Sequence, residues 1–435
     1  MEAKEFISTE HEVIHSAPLI DAEEITISRE DCDILRRLAA QASERMLAAD
    51  ELKKRDLQRR RNSLEWVRPL VMCFPEVSWR EIIPEYSLIC HGNVARSWET
   101  KFRHLLFIAD MKSDQCLTQS FESGYLHSDL DWGITMKQEG DLTHGSYRWE
   151  APIQSEADID KLCAPVMYVD FEASDALQSL AEDTFGDLLP ISRKESWYWT
   201  TGLTQTLIYL RGLEQMMLDM MDRPDFVHLL MGRLRDGTMA FLKDLEEKQL
   251  LFPNWDISYC GSGGIGLTDE LPEEDFDGVI RLKDQWGFSE SQETVGVSPR
   301  MFNQFILPYQ KPLLELFGLT YYGCCEPVDQ RWKYLKEIPN LRRLSVSPWS
   351  SREKMVQYLG QDYIYCLKPN PAVMARETLP EDEIRAYTRE TLEIAGECHL
   401  EFILKDVTTV RNEPERIHRW VKIVKEEIER FYSSY

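Results

Sequence analysis

The sequence predicts an α/β protein: a single (β/α)8 TIM barrel preceded by a helical N-terminal extension. In the second half of its 435 residues, five short apolar runs alternate with five helix-patterned segments. That alternation implies parallel strands joined by helical crossovers. Each run ends in polar residues, namely Lys283 and Asp284, Cys324 to Glu326, Ser345 and Ser347, Lys368 and Asn370, and Lys405 and Asp406. A barrel gathers its strand C-termini, and its catalytic groups, on one face, whereas a doubly wound sheet collects them at one crevice. Five consecutive polar endings favour the barrel.

Residues 1–28 read as an irregular lead-in. Ser28 and Asp31 then stand where a helix is capped, ahead of the apolar spacing in CDILRRLAAQASERMLAADEL. The basic cluster KKRDLQRRR, Lys53 to Arg61, reads as a solvated helix end, where cations suit the helix dipole. The extension is expected to cover residues 1–66 and the barrel residues 67–435. RPLVMCF, from Arg68, reads as the first buried strand, and SWETKFRHLLFIADM as an amphipathic helix opened by a serine cap. FDGVIRLKDQWG reads as a strand before the helix in SPRMFNQFILPYQKPLLELFG, which Ser-Pro starts and glycine stops. LTYYGCCE precedes DQRWKYLKEI, LRRLSVSP precedes SREKMVQYLG, YIYCLKPNPA precedes EDEIRAYTRETLEIAG, and LEFILKDVTTV precedes PERIHRWVKIVKEEIERFY.

Composition bounds the function. Hydrophobic residues make up 43% of the chain, enough for a large core, and the net charge is −25. That charge repels nucleic acid and anionic membrane surfaces, so neither is expected as a partner. Ten cysteines without a CxxC pair suit a reduced, cytoplasmic protein. Neither a signal-like start nor an apolar run of membrane-spanning length is present. GSGGIG, Gly261 to Gly266, formally matches a dinucleotide fingerprint, but those glycines would have to open a helix. The acidic, proline-bearing LTDELPEEDFD follows instead, so the stretch reads as a flexible loop over the barrel mouth.

YYGCCEPVD, Tyr321 to Asp329, is the most chemically loaded stretch. Adjacent side chains on a strand point apart, so Cys324 and Cys325 share a ligand only if the strand has already ended. Zinc accepts thiolate and carboxylate and needs three protein ligands when catalytic. Cys324 and Glu326 are candidate ligands, to be completed by Asp406, Cys260 or His91. The competing readings are two small packing residues, or a reactive thiol acidified by Lys368 or Lys405. Lys405 and Asp406 are the other catalytic candidates, with a salt bridge between strands as the plainer role; Lys283 and Asp284 carry the same ambiguity. His91 and Arg96, in CHGNVARSWE, belong to a loop after the first strand, either near the ligand or in a cap. Trp197, Trp199, Trp286, Tyr321, Tyr322 and Trp349 near strand ends suit a small or flat organic ligand. Expected substrate contacts are His91, Lys283, Asp284, Trp286, Tyr322, Lys368 and Asn370.

The segments LRGLEQMMLDMMDRPDFVHLLMGRL, VSPRMFNQFILPYQKPL and LKPNPA, in that order and spacing, resemble the uroporphyrinogen decarboxylase superfamily from about Trp197 onward, and more weakly from Arg68. That resemblance implies a (β/α)8 barrel. The decarboxylase proper carries an arginine-rich RQAGR signature near its first strand, where this chain has RPLVMCFPEVSWREIIPEY. The corrinoid methyltransferase branch is more similar; it binds zinc through His-x-Cys and a late cysteine. Here His-x-Cys becomes Tyr322, Gly323, Cys324, and the late cysteine is replaced near Lys405 and Asp406. The resemblance therefore implies a methyltransferase moving a methyl group between a small methylated compound or thiol and a corrinoid protein, with Zn2+ as an expected cofactor. The alternatives are a decarboxylase or lyase acting on a small carboxylated or tetrapyrrole-like substrate, with Lys368 and Lys405 as anion holders, and a non-catalytic cobamide- or ligand-binding barrel. Cys324 is expected to face the mouth with Glu326, and Cys325 to face outward.

Overall fold

Six parallel strands carry the fold in a computed structural model that describes residues 4–6, 25–134, 137–140 and 147–433. They are β1 (Leu70–Cys73), β2 (Trp286–Ser289), β3 (Leu319–Tyr322), β4 (Leu341–Val346), β5 (Ile364–Leu367) and β6 (His399–Leu404). Their spatial order is β1-β6-β5-β4-β3-β2, so the last strand pairs with the first, from Glu401↔Leu70 to Leu404↔Cys73. Both faces of a parallel sheet are covered, and all residues of β1, β2, β3, β5 and β6 are accordingly buried.

Eight closed strands are not what the structure displays. Among the described residues no ladder joins β1 to β2. Asp114 N–H meets Val71 O at 2.7 Å beside β1, and Thr201 N–H meets Phe288 O at 2.8 Å beside β2. Between them Phe121–Glu122 pair with Ile191–Ser192. The Asp114 carboxylate takes the Val71 N–H at 2.8 Å, so a side chain stands where a strand carbonyl would continue the ladder.

Side-chain alternation sorts the strands into two layers. Met72, Trp286, Phe288, Leu319, Tyr321, Cys366 and Ile403 form an inner cluster with Cys260 and Ile265. Val71, Tyr322, Leu344, Val346, Tyr365, Leu367, Phe402 and Leu404 face the helices in the larger core, which also holds Ile417, Trp420 and Val424 of helix Glu415–Ser433. A second core unites helices Arg29–Met46, Asn93–Asp110 and Phe171–Phe185 through Leu35, Trp98, Phe102, Phe121 and Phe185.

Four of the five predicted strands after residue 280 lie where expected, and the exception moves two site candidates. The strand after FDGVIRLKD begins at Trp286, so Lys283 and Asp284 precede it and lie at its N-terminal end. The Asp284 carboxylate caps Arg281, and Lys283 pairs with Asp275 at 2.7 Å; these local ion pairs make a turn, not a strand end. The predicted Ser-Pro helix breaks at Ile306 into Pro299–Phe305 and Leu307–Leu314, where Pro308 cannot supply an amide hydrogen. Ser28 caps the first helix as expected, accepting Asp31 N–H at 3.0 Å. Ser97 is not a cap, because its helix begins at Asn93. The Asp31 carboxylate instead receives the His91 and Gly92 N–H groups at 2.9 and 3.1 Å. The basic cluster is only partly solvated: Lys54 is buried against Glu51, and Arg61 is buried with its guanidinium on Val67 O and Arg68 O.

Candidate active site

The C-terminal ends of β3 and β6 bring the chemistry together. Gly323, at φ +95°, turns the chain out of β3 immediately after Tyr322. Left-handed backbone of this kind suits glycine alone among common residues. The strand has therefore ended before either cysteine, and both sulfurs turn to one place, 3.7 Å apart. The expectation that Cys325 faces the helix layer is overturned for this reason.

Cys324 is buried. Its sulfur accepts the Ser262 hydroxyl at 3.1 Å and lies 3.9 Å from Lys405 Nζ. Cys325 is partly open and directs its S–H to Asp406 Oδ2 at 3.6 Å. Lys405 Nζ also contacts Asp406 Oδ1 at 2.8 Å and Glu76 Oε1 at 3.6 Å. Glu76 in turn accepts the Asp406 N–H at 2.7 Å, holding a residue whose own φ is +57°. The contact with the Cys325 sulfur, helped by Lys405 and Ser262, holds the Cys324 thiol below its ordinary value despite burial. The same contact, burial and the neighbouring carboxylate push Cys325 strongly up. Burial works against the Lys405 charge, yet Cys324, Asp406 and Glu76 outweigh it and hold the ammonium protonated. The two sulfurs are thus biased in opposite directions, Cys324 toward ionisation and Cys325 toward the protonated thiol.

Glu326 does not join them at the mouth. It is fully buried, its two oxygens accepting Ser291 N–H at 2.8 Å and Cys324 N–H at 2.9 Å, so it fixes the turn from below. Tyr322 faces outward, its hydroxyl on Ser291 Oγ and Gln310 Oε1 at 3.0 and 2.9 Å; the inward ring is Tyr321. Lys368 is buried on the inner face of the sheet, with Nζ 3.1 Å from Cys366 Sγ and 3.5 Å from Gly263 O. Asn370 accepts Ala372 N–H at 3.0 Å and caps a short helix. Trp286 begins β2 and gives its indole N–H to Gly266 O, low in the interior. His91 belongs to the helix cap already described. Cys260 is buried in the inner cluster, and burial pushes its thiol up to about 12.

The glycine loop does not hang over the mouth. It is pressed inside: a Cβ on Gly261 would lie 2.3 Å from Tyr321, and one on Gly264 2.6 Å from Arg343. Ser262 and Glu76 are the site residues the sequence reading passed over. Ser262 lies within the glycine run, and Glu76 three residues beyond the end of β1; a polar residue just past a strand end was the available signal.

The residues present do not fit a zinc ion. Among the described residues no group of three or more His, Cys, Asp and Glu side chains is arranged to hold a metal. Both Glu326 oxygens are engaged by amides, and an ammonium stands 3.9 Å from the Cys324 sulfur.

Among solved structures, the chain is similar to a methyltransferase from Methanosarcina mazei at 14% identity and a TM-score of 0.47, over 87% of this chain and 99% of that one. An overlap this loose speaks to neither family nor reaction. No family model and no curated protein matches the chain. Among the described residues no helix is long and apolar enough to cross a membrane.

Proposed function

We propose that the chain is an enzyme that transfers a methyl or similarly small alkyl group, with the Cys324 thiolate as its reactive group. The setting of that one sulfur carries the reading: a buried thiol with a hydroxyl donor at 3.1 Å and an ammonium at 3.9 Å, on the strand-end face where barrels perform their chemistry. Alkyl transfer needs a soft, strong nucleophile held in line with the donor carbon, and a thiolate meets that need. The sulfur attacks the methyl carbon, the S–C bond forms as the bond to the donor's heteroatom breaks, and that atom leaves with the electron pair. Onward transfer to a stronger nucleophile returns the thiolate, which Ser262 and Lys405 stabilise as it leaves. A corrinoid on a partner protein, which the sequence resemblance implies, supplies such a nucleophile when bound. Exposed Trp199, Tyr259 and Trp349 on loops of this region offer an apolar rim for a flat group.

The test is peptide mass spectrometry after incubating the full chain with a panel of methylamines, methyl thioethers, aryl methyl ethers and methanol, with and without a reduced corrinoid protein. The expected result is one added methyl on Cys324, or methyl transfer that Cys324→Ser abolishes. Transfer that is unaffected by Cys324→Ser would overturn the reading.

A further inference from the structure

Neighbouring cysteines in a regular strand direct their sulfurs to opposite faces. Here the turn at Gly323 lets them meet at 3.7 Å, with unlike partners. Cys324 is only 4% exposed and takes a hydroxyl and an ammonium, the surroundings of an attacking thiolate. Cys325 is more open and gives its proton toward Asp406 at 3.6 Å, a base placed to accept it when that sulfur attacks in turn. An attacking sulfur beside a resolving one is the arrangement that thiol oxidation requires for a disulfide outcome.

We propose that Cys324 and Cys325 form a redox-modification site, closing to a vicinal disulfide when a small hydroperoxide oxidises Cys324 and reopening with a dithiol. In the first step the Cys324 sulfur attacks the peroxide, an S–O bond forms, the O–O bond breaks, and the alkoxide or hydroxide leaves and is protonated. In the second, Cys325 loses its proton to Asp406 and attacks the sulfenic sulfur. The S–S bond forms, the S–O bond breaks, and hydroxide leaves as water with the proton from Asp406. The sum is two thiols and one hydroperoxide giving a disulfide, an alcohol or water, and water. The burial of Cys324 admits only a small oxidant.

The bond is built to be reversible. Adjacent Cα atoms lie about 3.8 Å apart across a trans peptide, shorter than the roughly 4.4–6.8 Å of ordinary disulfides, so the closed form is strained and readily reduced. Closure removes the thiolate and stops chemistry at this sulfur. The inference stands on the geometry of the pair and not on which group the site transfers.

The experiment treats the reduced full chain with hydrogen peroxide, then with dimedone and iodoacetamide, and maps all ten cysteines. The peptide holding both thiols is expected to lose two hydrogens, to resist both reagents, and to regain two alkylation sites after dithiothreitol. Cys325→Ser is expected to stop at the sulfenic acid and carry dimedone on Cys324. The unsubstituted chain is expected to bind one phenylarsine oxide that shields both thiols, a measurement independent of any variant's folding. A dimedone adduct on the unsubstituted chain as abundant as on Cys325→Ser, disulfides to other cysteines, or oxidation no faster than at the partly exposed Cys32 and Cys163 would overturn the proposal. A closed pair in a chain that shows no methyl transfer would count against the proposed function alone.

Discussion

One face of β6 and the residue that follows it present Glu401, Ile403 and Lys405 in succession, and the two charged residues meet different partners. Glu401 is sealed on the inner face of the sheet against Arg343 at 3.3 Å, both side chains fully buried, with Arg343 also set over the rings of Trp286 and Tyr321. Lys405, two alternations on and just past the strand end, is buried against a thiol and two carboxylates. A sealed pair fixes how the interior packs, because neither charge can be left alone in a low-dielectric core. At the strand end the same alternation delivers a charge to the two cysteines. Position along the strand separates a charge that serves packing from one set beside the two cysteines.

The largest expected effect breaks the sealed pair. Arg343→Met strands Glu401 and should cost about 3–5 kcal/mol of stability, read by chemical denaturation. Arg343→Met with Glu401→Leu should recover most of that loss. Failure to recover would mean that Arg343 acts chiefly through Asn62, whose side-chain oxygen its guanidinium also contacts.

At the rim, Cys324→Ser should leave the melting temperature nearly unchanged. Iodoacetamide labelling at this position should fall below about one hundredth of the parent rate at neutral pH, because a hydroxyl is not ionised there. A large drop in melting temperature would recast Cys324 as a packing residue.

The third prediction concerns pH. Removing the ammonium disfavours the thiolate, so Lys405→Met should move the midpoint of Cys324 alkylation upward by about one pH unit. Cys325→Ala removes the neighbouring sulfur that favours ionisation of Cys324 and should move it in the same direction. Midpoints that stay put would show that solvent screens the pair. The smallest effect is expected of Ser262→Ala, which removes one hydrogen bond, about 1 kcal/mol, and should slow labelling a few-fold.

Local pattern alone determined much of this protein. The strands around Tyr321, Leu344, Cys366 and Phe402, the Ser28 cap and the helices over residues 352–359, 381–395 and 415–433 follow from hydrophobic period and capping residues within a few positions of one another. The same pattern marked Cys324, Lys405 and Asp406, since polar residues directly after buried strands collect at one end of a parallel sheet. Tertiary structure decided the rest. Whether Cys325 turned in or out depended on the Gly323 turn. Tyr322 and Glu326 went to structural duty because strand parity and two amide donors claimed them. The glycine loop packed against the inner face of the sheet because its missing side chains make room for Tyr321 and Arg343, residues far away in sequence. Lys283 and Asp284 left the site because Asp275 and Arg281 drew them into a turn before β2. A sequence carries the periodicity of each element, but which charges become neighbours across 81 residues, as Cys324 and Lys405 do, is fixed only when the strands pair.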